Sequence, residues 1–162
     1  MKEYFKTLMR YNAWANDRLY ASCQLLSSEA YFLDRHAFFT SIHGTLNHLL
    51  VGDKLWLARW RGVDSGVTAL NQILYPDLDS LSHARKAEDQ SLISFIDAFD
   101  AAQLDGSLTF YTLAGQAKTV PWKYLMAHLC NHQTHHRGQV HNMLSQAGQE
   151  PPVLDLYYYL ST

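Results

Sequence analysis

The stretch PWKYLMAHLCNHQTHHRGQVHNMLSQAG, residues 121–148, decides the fold. Trp122, Leu125, Met126, Leu129, Val140 and Leu144 recur at helical spacing, the pattern of a helix with one buried face. Pro121 suits the first turn, where its missing N–H leaves no hydrogen bond unmade. Gly148 stops the helix, and Pro151 with Pro152 prevents its resumption. Three further stretches carry the same period. Tyr4, Leu8, Tyr11, Ala15 and Leu19 predict a helix over about 2–25. Ile42, Leu46, Leu49, Leu50 and Trp56 predict one over about 40–60, ended by Gly62. Leu81, Ala84, Leu92, Phe95, Ile96 and Phe99 predict one over about 80–100.

Four amphipathic helices with little strand signal imply an all-α protein, a four-helix bundle folded as one domain over residues 1–162. The connections over about 62–78 and 101–120 are long for a bundle, so one of them is expected to cross over the end of the bundle. Residues 107–112 and 116–120 flank Ala114-Gly115 and admit either a small hairpin or an extended crossover; the crossover is favoured. The apolar tail from Leu154 to Leu160 is expected to pack back on the helices.

A net charge of −2 without a basic stripe argues against nucleic acid and against an anionic membrane surface as partners. No run of about 18 apolar residues is present, and the N-terminus lacks the apolar core of a signal peptide, so a cytoplasmic location is expected. Cys23 and Cys130 form no disulfide framework and read as free thiols.

Nine histidines are unusual for this length, and five of them lie between His128 and His141. His132 and His136 are four apart on the apolar face, one turn from each other, so their imidazoles can converge on one ion. His48 shares a helix side with Leu49, Gly52 and Trp56. It reads as a core histidine satisfied by hydrogen bonds, or as a third ligand if its helix packs beside the His132/His136 helix. Three neutral imidazoles would bind a divalent ion and leave one position open for water or substrate. His128 lies two turns from His136, and a drift of about 80° turns it off the site. His135 and His141 point to the surface, and Cys130 points away from His132. The residue after His132 is Gln133, where a zinc protease helix carries its glutamate base. No Glu-x-x-His repeats suggest a di-iron bundle.

Four segments together resemble the DinB/YfiT-like family of four-helix metal-binding proteins. They are Tyr11-Asn12-Ala13-Trp14-Ala15-Asn16, then Leu46-Asn47-His48-Leu49 with Asp53 and Trp56, then Asn131 to Gln139, and the ending Pro151 to Leu160. The resemblance implies an up-down-down-up bundle, commonly a homodimer, with a nickel or zinc ion on His48, His132 and His136. It implies a small-molecule substrate, with a metal-dependent transferase of a low-molecular-weight thiol as the activity of characterised members. Whether this chain is an enzyme stays open. The alternatives are a metal-dependent hydrolase and a non-catalytic metal-binding protein, in which His128 would close the coordination. Asp53, His128, Arg137 and Gln139 are candidates to orient a ligand or to meet substrate. Arg137 either binds an anionic substrate group or pairs with Asp53 or Asp155 as structural glue. Gly138 is expected to permit close helix packing.

Overall fold

The chain, described here by a computed structural model over residues 1–161, is built on four long helices. They are α1 (Lys2–Cys23), α3 (Ile42–Arg61), α4 (Leu78–Ala98) and α5 (Trp122–Gln146). Shorter elements fill the connections: α2 (Ser28–Phe32), a 3-10 turn at Ala101–Asp105, strands β1 (Ser107–Tyr111) and β2 (Ala117–Pro121), and a single turn α6 (Leu156–Tyr159). The starts of α3 and α4 are set by side-chain caps. Ser41 accepts from the Gly44 N–H and Asp77 from the Ser80 N–H, satisfying donors that a helix start leaves without partners. Gly62, at φ 69°, closes α3 in the left-handed conformation that other residues avoid.

Pair contacts fix the directions of the helices. Along α3 and α4, Asp53 meets Arg85 and Arg61 meets the carbonyl of Ser91, so the two run parallel. Between α1 and α4, Arg10 meets Asp97 and Asn16 meets Asp89, so they are antiparallel. Between α3 and α5, His48 meets His132 and Trp60 meets Trp122, again antiparallel. The order is therefore up-down-down-up. A parallel α3–α4 pair cannot be joined by a tight turn. The chain from Gly62 to Asp77 must return along a helix of twenty residues, roughly 30 Å long, which explains its length. Asn47 pins that return strand to α3. Its Oδ1 accepts from the N–H groups of Leu74 and Tyr75 at 2.9 and 3.1 Å, and its Nδ2 donates to the Tyr75 carbonyl.

Two apolar clusters fill the bundle. One gathers Leu19, Tyr20, Leu46, Leu50, Val140 and Leu144, and the other gathers Met9, Trp60, Ile96, Trp122, Met126 and Leu129. Between them lies a layer of buried polar side chains to which all four long helices contribute. Arg85 ion-pairs with Asp53 at 2.7 Å and with Asp89 at 2.9 Å. Asn16 donates to Asp89, and Arg137 donates to Asn12, Asn16 and Gln133. All of these residues are buried.

Several expectations need correction. Residues 107–121 form an antiparallel hairpin, with Thr109 opposite Thr119, and not an extended crossover. The turn closes by a Thr112 N–H bond to the Gln116 carbonyl and by Gly115 at φ 76°. The link after α1 contains the short helix α2, capped by Ser27. A Cβ on Gly138 would meet nothing within 4 Å, so this glycine serves no close helix contact. The tail does pack back in part: the Tyr11 hydroxyl donates to the Leu154 carbonyl at 2.7 Å and Tyr159 lies against Tyr11 and Trp14, while Tyr157 stays exposed. No helix among the described residues is long and apolar enough to cross a membrane.

The polar layer makes a stability prediction. Arg85→Met removes the cation shared by two buried carboxylates and is expected to cost about 3–5 kcal/mol, a large part of a typical domain's stability. Chemical denaturation of the purified variant beside wild type measures it.

Candidate metal centre

His48 comes from the second turn of α3, and His132 and His136 from successive turns of α5. Because α3 and α5 run antiparallel side by side, the three rings face one another. The centroid of the His48 ring lies 5.0 Å from that of His132 and 4.6 Å from that of His136, and those two are 4.5 Å apart. One ring nitrogen from each falls within 4.8 Å of the others, so the cluster could hold a metal ion. The third histidine, ambiguous on spacing alone, is thus beside the other two. Gly52 makes this possible, since a Cβ there would sit 3.0 Å from the His132 ring.

The outer nitrogens are held by the protein. His48 Nδ1–H donates to the Leu70 carbonyl at 2.7 Å, an acceptor supplied by the return strand. His136 Nδ1–H donates to Gln139 Oε1 at 2.7 Å. Each bond fixes a tautomer and leaves the Nε2 lone pair facing inward. His132 Nδ1 is buried without a partner, and its Nε2 lies 3.0 Å from His48 Nε2. Two imidazole acceptors at that separation need a proton or a cation between them. Burial also keeps the rings neutral. It pushes His132 down to about 3, helped by the neighbouring histidines, and His136 down to about 4, and it lowers His48 against the opposing Leu70 hydrogen bond. Neutral imidazoles with aligned lone pairs fit a divalent ion.

Phe39 roofs the cluster, stacked on His48 with centroids 3.7 Å apart and planes at 16°. It is delivered by a tight turn in which Thr40 holds φ at 64°, an uncommon value for a β-branched residue. Gly44 accommodates the turn, because a Cβ there would lie 2.1 Å from the Phe39 carbonyl oxygen. On the other side the cluster opens into a cavity of about 450 Å³. Leu55, Trp56, Arg59, Leu70, Leu113 and His128 are among its walls. Among the described residues no carboxylate lines it.

The remaining candidates separate. Gln139 orients a cluster histidine. His128 stands outside the cluster, its ring 5.9 Å from that of His132 and edge-on to Trp56, but it reaches the cavity. Asp53 does not orient any histidine, because Arg85 engages it inside the bundle. Arg137 pairs directly with neither Asp53 nor Asp155. It is structural glue of another kind, bonded to Asn12, Asn16 and Gln133 and stacked over Tyr11. It also borders a groove of about 570 Å³ between α1, α5 and the tail, with its Nη1 bonded inside the bundle. Cys130 borders that groove too, away from the histidines, and burial pushes its thiol up to about 12. Sequence reasoning missed Phe39, Leu70 and Arg59. The first two act through loop geometry that periodicity does not encode.

The comparisons with known proteins agree with this architecture. The DinB family model matches residues 1–162. The chain belongs to the DinB family. It is 27% identical over 170 residues to Protein DinB of Bacillus subtilis (strain 168), covering 99% of this chain and 95% of that protein. Its fold is similar to the crystal structure of a DinB-like protein from Bacillus cereus ATCC 10987, with a TM-score of 0.69 at 16% identity, covering 91% of this chain and 95% of that one.

The lowered histidine pKa values give a pH prediction. Between the ordinary imidazole value near 6.5 and the folded values, the unfolded chain binds more protons than the folded one. Stability of the metal-free protein is therefore complete above about pH 7 and declines as pH falls from about 6.5 towards about 4. Thermal melts across that range measure the slope, which His132→Asn is expected to make shallower.

Proposed function

We propose that this DinB-family protein is a metal-dependent transferase that uses a low-molecular-weight thiol. His48, His132 and His136 would hold one divalent ion, zinc or nickel, for which three imidazoles are a suitable donor set. The observation that carries the reading is the open side of the cluster. Three histidines face one another, the cluster opens into a cavity, and among the described residues no acidic side chain lines that cavity. A closed structural site would bring a fourth ligand, and His128 stays apart.

A bound divalent ion would lower the pKa of a thiol taking the open position, giving a nucleophile at neutral pH without a carboxylate base. The protein's own groups complete the arrangement. The Leu70 carbonyl and Gln139 fix the ring planes of His48 and His136. Phe39 covers one face and keeps water from it. Gln133 cannot act as a proton acceptor, and it is spent within the bundle on the Leu49 carbonyl and Arg137. Burial and the nearby Arg59 charge lower the His128 pKa, so this ring on the cavity wall is a weakened proton acceptor. The hydrolase alternative needs a base for an attacking water, and His128 alone offers one.

Two outcomes follow. Elemental analysis of purified protein is expected to give about one equivalent of zinc or nickel, and His132→Ala to lose at least roughly 90% of it, since removing one of three ligands leaves too few donors. Retained metal in that variant would remove the site. Metal-loaded protein mixed with glutathione, bacillithiol or mycothiol and monochlorobimane is expected to form the conjugate faster than the metal-stripped protein does. Equal rates with all three thiols would remove the transferase reading.

A further inference from the structure

Among the described residues, Arg59 is the one Lys or Arg on the wall of the histidine cavity. It stands on the same side of α3 as His48, Gly52 and Trp56, three turns beyond His48. Its guanidinium leans back over the Trp56 ring at 4.6 Å, as helical side chains do, and Phe110 of β1 covers it at 4.9 Å. Trp56 and Phe110 also meet each other edge to face at 5.1 Å, so the guanidinium rests against a pair of touching rings. Among the described residues no carboxylate comes within ion-pair distance of it, and its Nε is buried without a hydrogen-bond partner. The two arginines of the bundle interior are different. Arg85 is ion-paired with two carboxylates, and Arg137 Nη1 donates to amide oxygens. A guanidinium resting on aromatic rings, half-buried and unpaired beside a cavity, is a donor fork awaiting an acceptor.

We propose that Arg59 is the anion-binding end of this cavity, and that the protein takes a small molecule with a carboxylate at one end and its reacting group at the other. The helical rise separates Arg59 from His48 by roughly 16 Å, and the backward lean leaves roughly 10 Å between the guanidinium and the cluster. The wall between them is apolar, with Leu55, Trp56, Leu70 and Leu113, and suits a hydrocarbon spacer. Arg59 also borders an adjoining cavity of about 380 Å³ towards Asp64 and Tyr111, which gives room for the substituents of the anionic end. The placement of the reacting end at the histidines rests on the function proposed above; the anion site does not.

Octanoate and octanol, which share a chain of the right length and differ in the terminal charge, separate the two ideas. Isothermal titration calorimetry on metal-loaded wild type is expected to show octanoate binding at least roughly tenfold tighter than octanol. Arg59→Gln is expected to abolish that preference while leaving octanol affinity unchanged, and Arg59→Lys to retain part of it. Absence of a preference in wild type, or its survival in Arg59→Gln, overturns the proposal. A second pair, 8-mercaptooctanoate and 8-mercaptooctanol, is added to cobalt-loaded protein and followed by thiolate-to-cobalt charge-transfer absorption. A band with both thiols, stronger at low concentration for the carboxylate, places the reacting end at the cluster. An Arg59-dependent octanoate preference without any such band keeps the anion site and removes the thiol reading.

Discussion

The ion pairs of Arg85 with Asp53 and Asp89, buried at mid-height in the bundle, are the constraint on which the rest depends. Apolar stripes alone allow four helices to slide along one another by a turn at little cost, because leucine fits against leucine in more than one register. A buried guanidinium does not allow it. Arg85 must find both carboxylates, Asp89 must also meet Asn16, and Arg137 must meet Asn12 and Gln133. Any slip leaves charge unpaired in a dry interior, a penalty of several kcal/mol. The layer therefore fixes α3 against α5 axially. His48 stands little more than a turn from Asp53, and His132 and His136 flank Gln133 and Arg137. The register that satisfies the charges is the register that brings the three imidazoles together.

That coupling explains what was legible in the sequence and what was not. The four long helices were readable because each carries an apolar stripe of its own, and His132 with His136 because one helix holds both. His48 was not fixed by spacing, since its place depends on how α3 meets α5. The polar layer was invisible for the same reason. Asn12, Asn16, Asp89 and Gln133 look like ordinary surface residues until the partner helix is known, and Asp53 and Arg137 were assigned to partners they do not have. The hairpin over 107–121 is only the less favoured of two readings in sequence, because its strands are half-exposed and short and an alternation of five residues has no apolar face to announce it.

The irregular segments complete the cluster that the helices position. The return strand between α3 and α4 exists because those helices are parallel, and it must run past the N-terminal half of α3. Asn47 holds it there by three hydrogen bonds, and the neighbouring His48 receives the Leu70 carbonyl as a result. The tight turn before α3 serves in a similar way, trading an unfavourable φ at Thr40 for Phe39 over the His48 ring. Topology thus dictates a long loop, and the loop supplies the group that sets the His48 tautomer.

The arginines show how the same side chain is given different work by its surroundings. Arg85 and Arg137 are buried among acceptors from their own helix and from neighbouring ones, Arg85 beside Asp53 and Asp89 and Arg137 beside Asn16 and Gln133. Arg59 sits where the helix has passed the end of the polar layer and α3 faces the hairpin. Only aromatic faces are offered to it there, and an aromatic face attracts a cation without using its N–H groups. The charge is anchored while its Nε–H is left without a hydrogen-bond partner. An arginine meant only to hold the hairpin against α3 would gain more from a carboxylate on β1 or β2, and neither strand carries one. The hairpin thus closes the cavity while leaving the guanidinium uncompensated, which is the arrangement a site for an incoming anion requires.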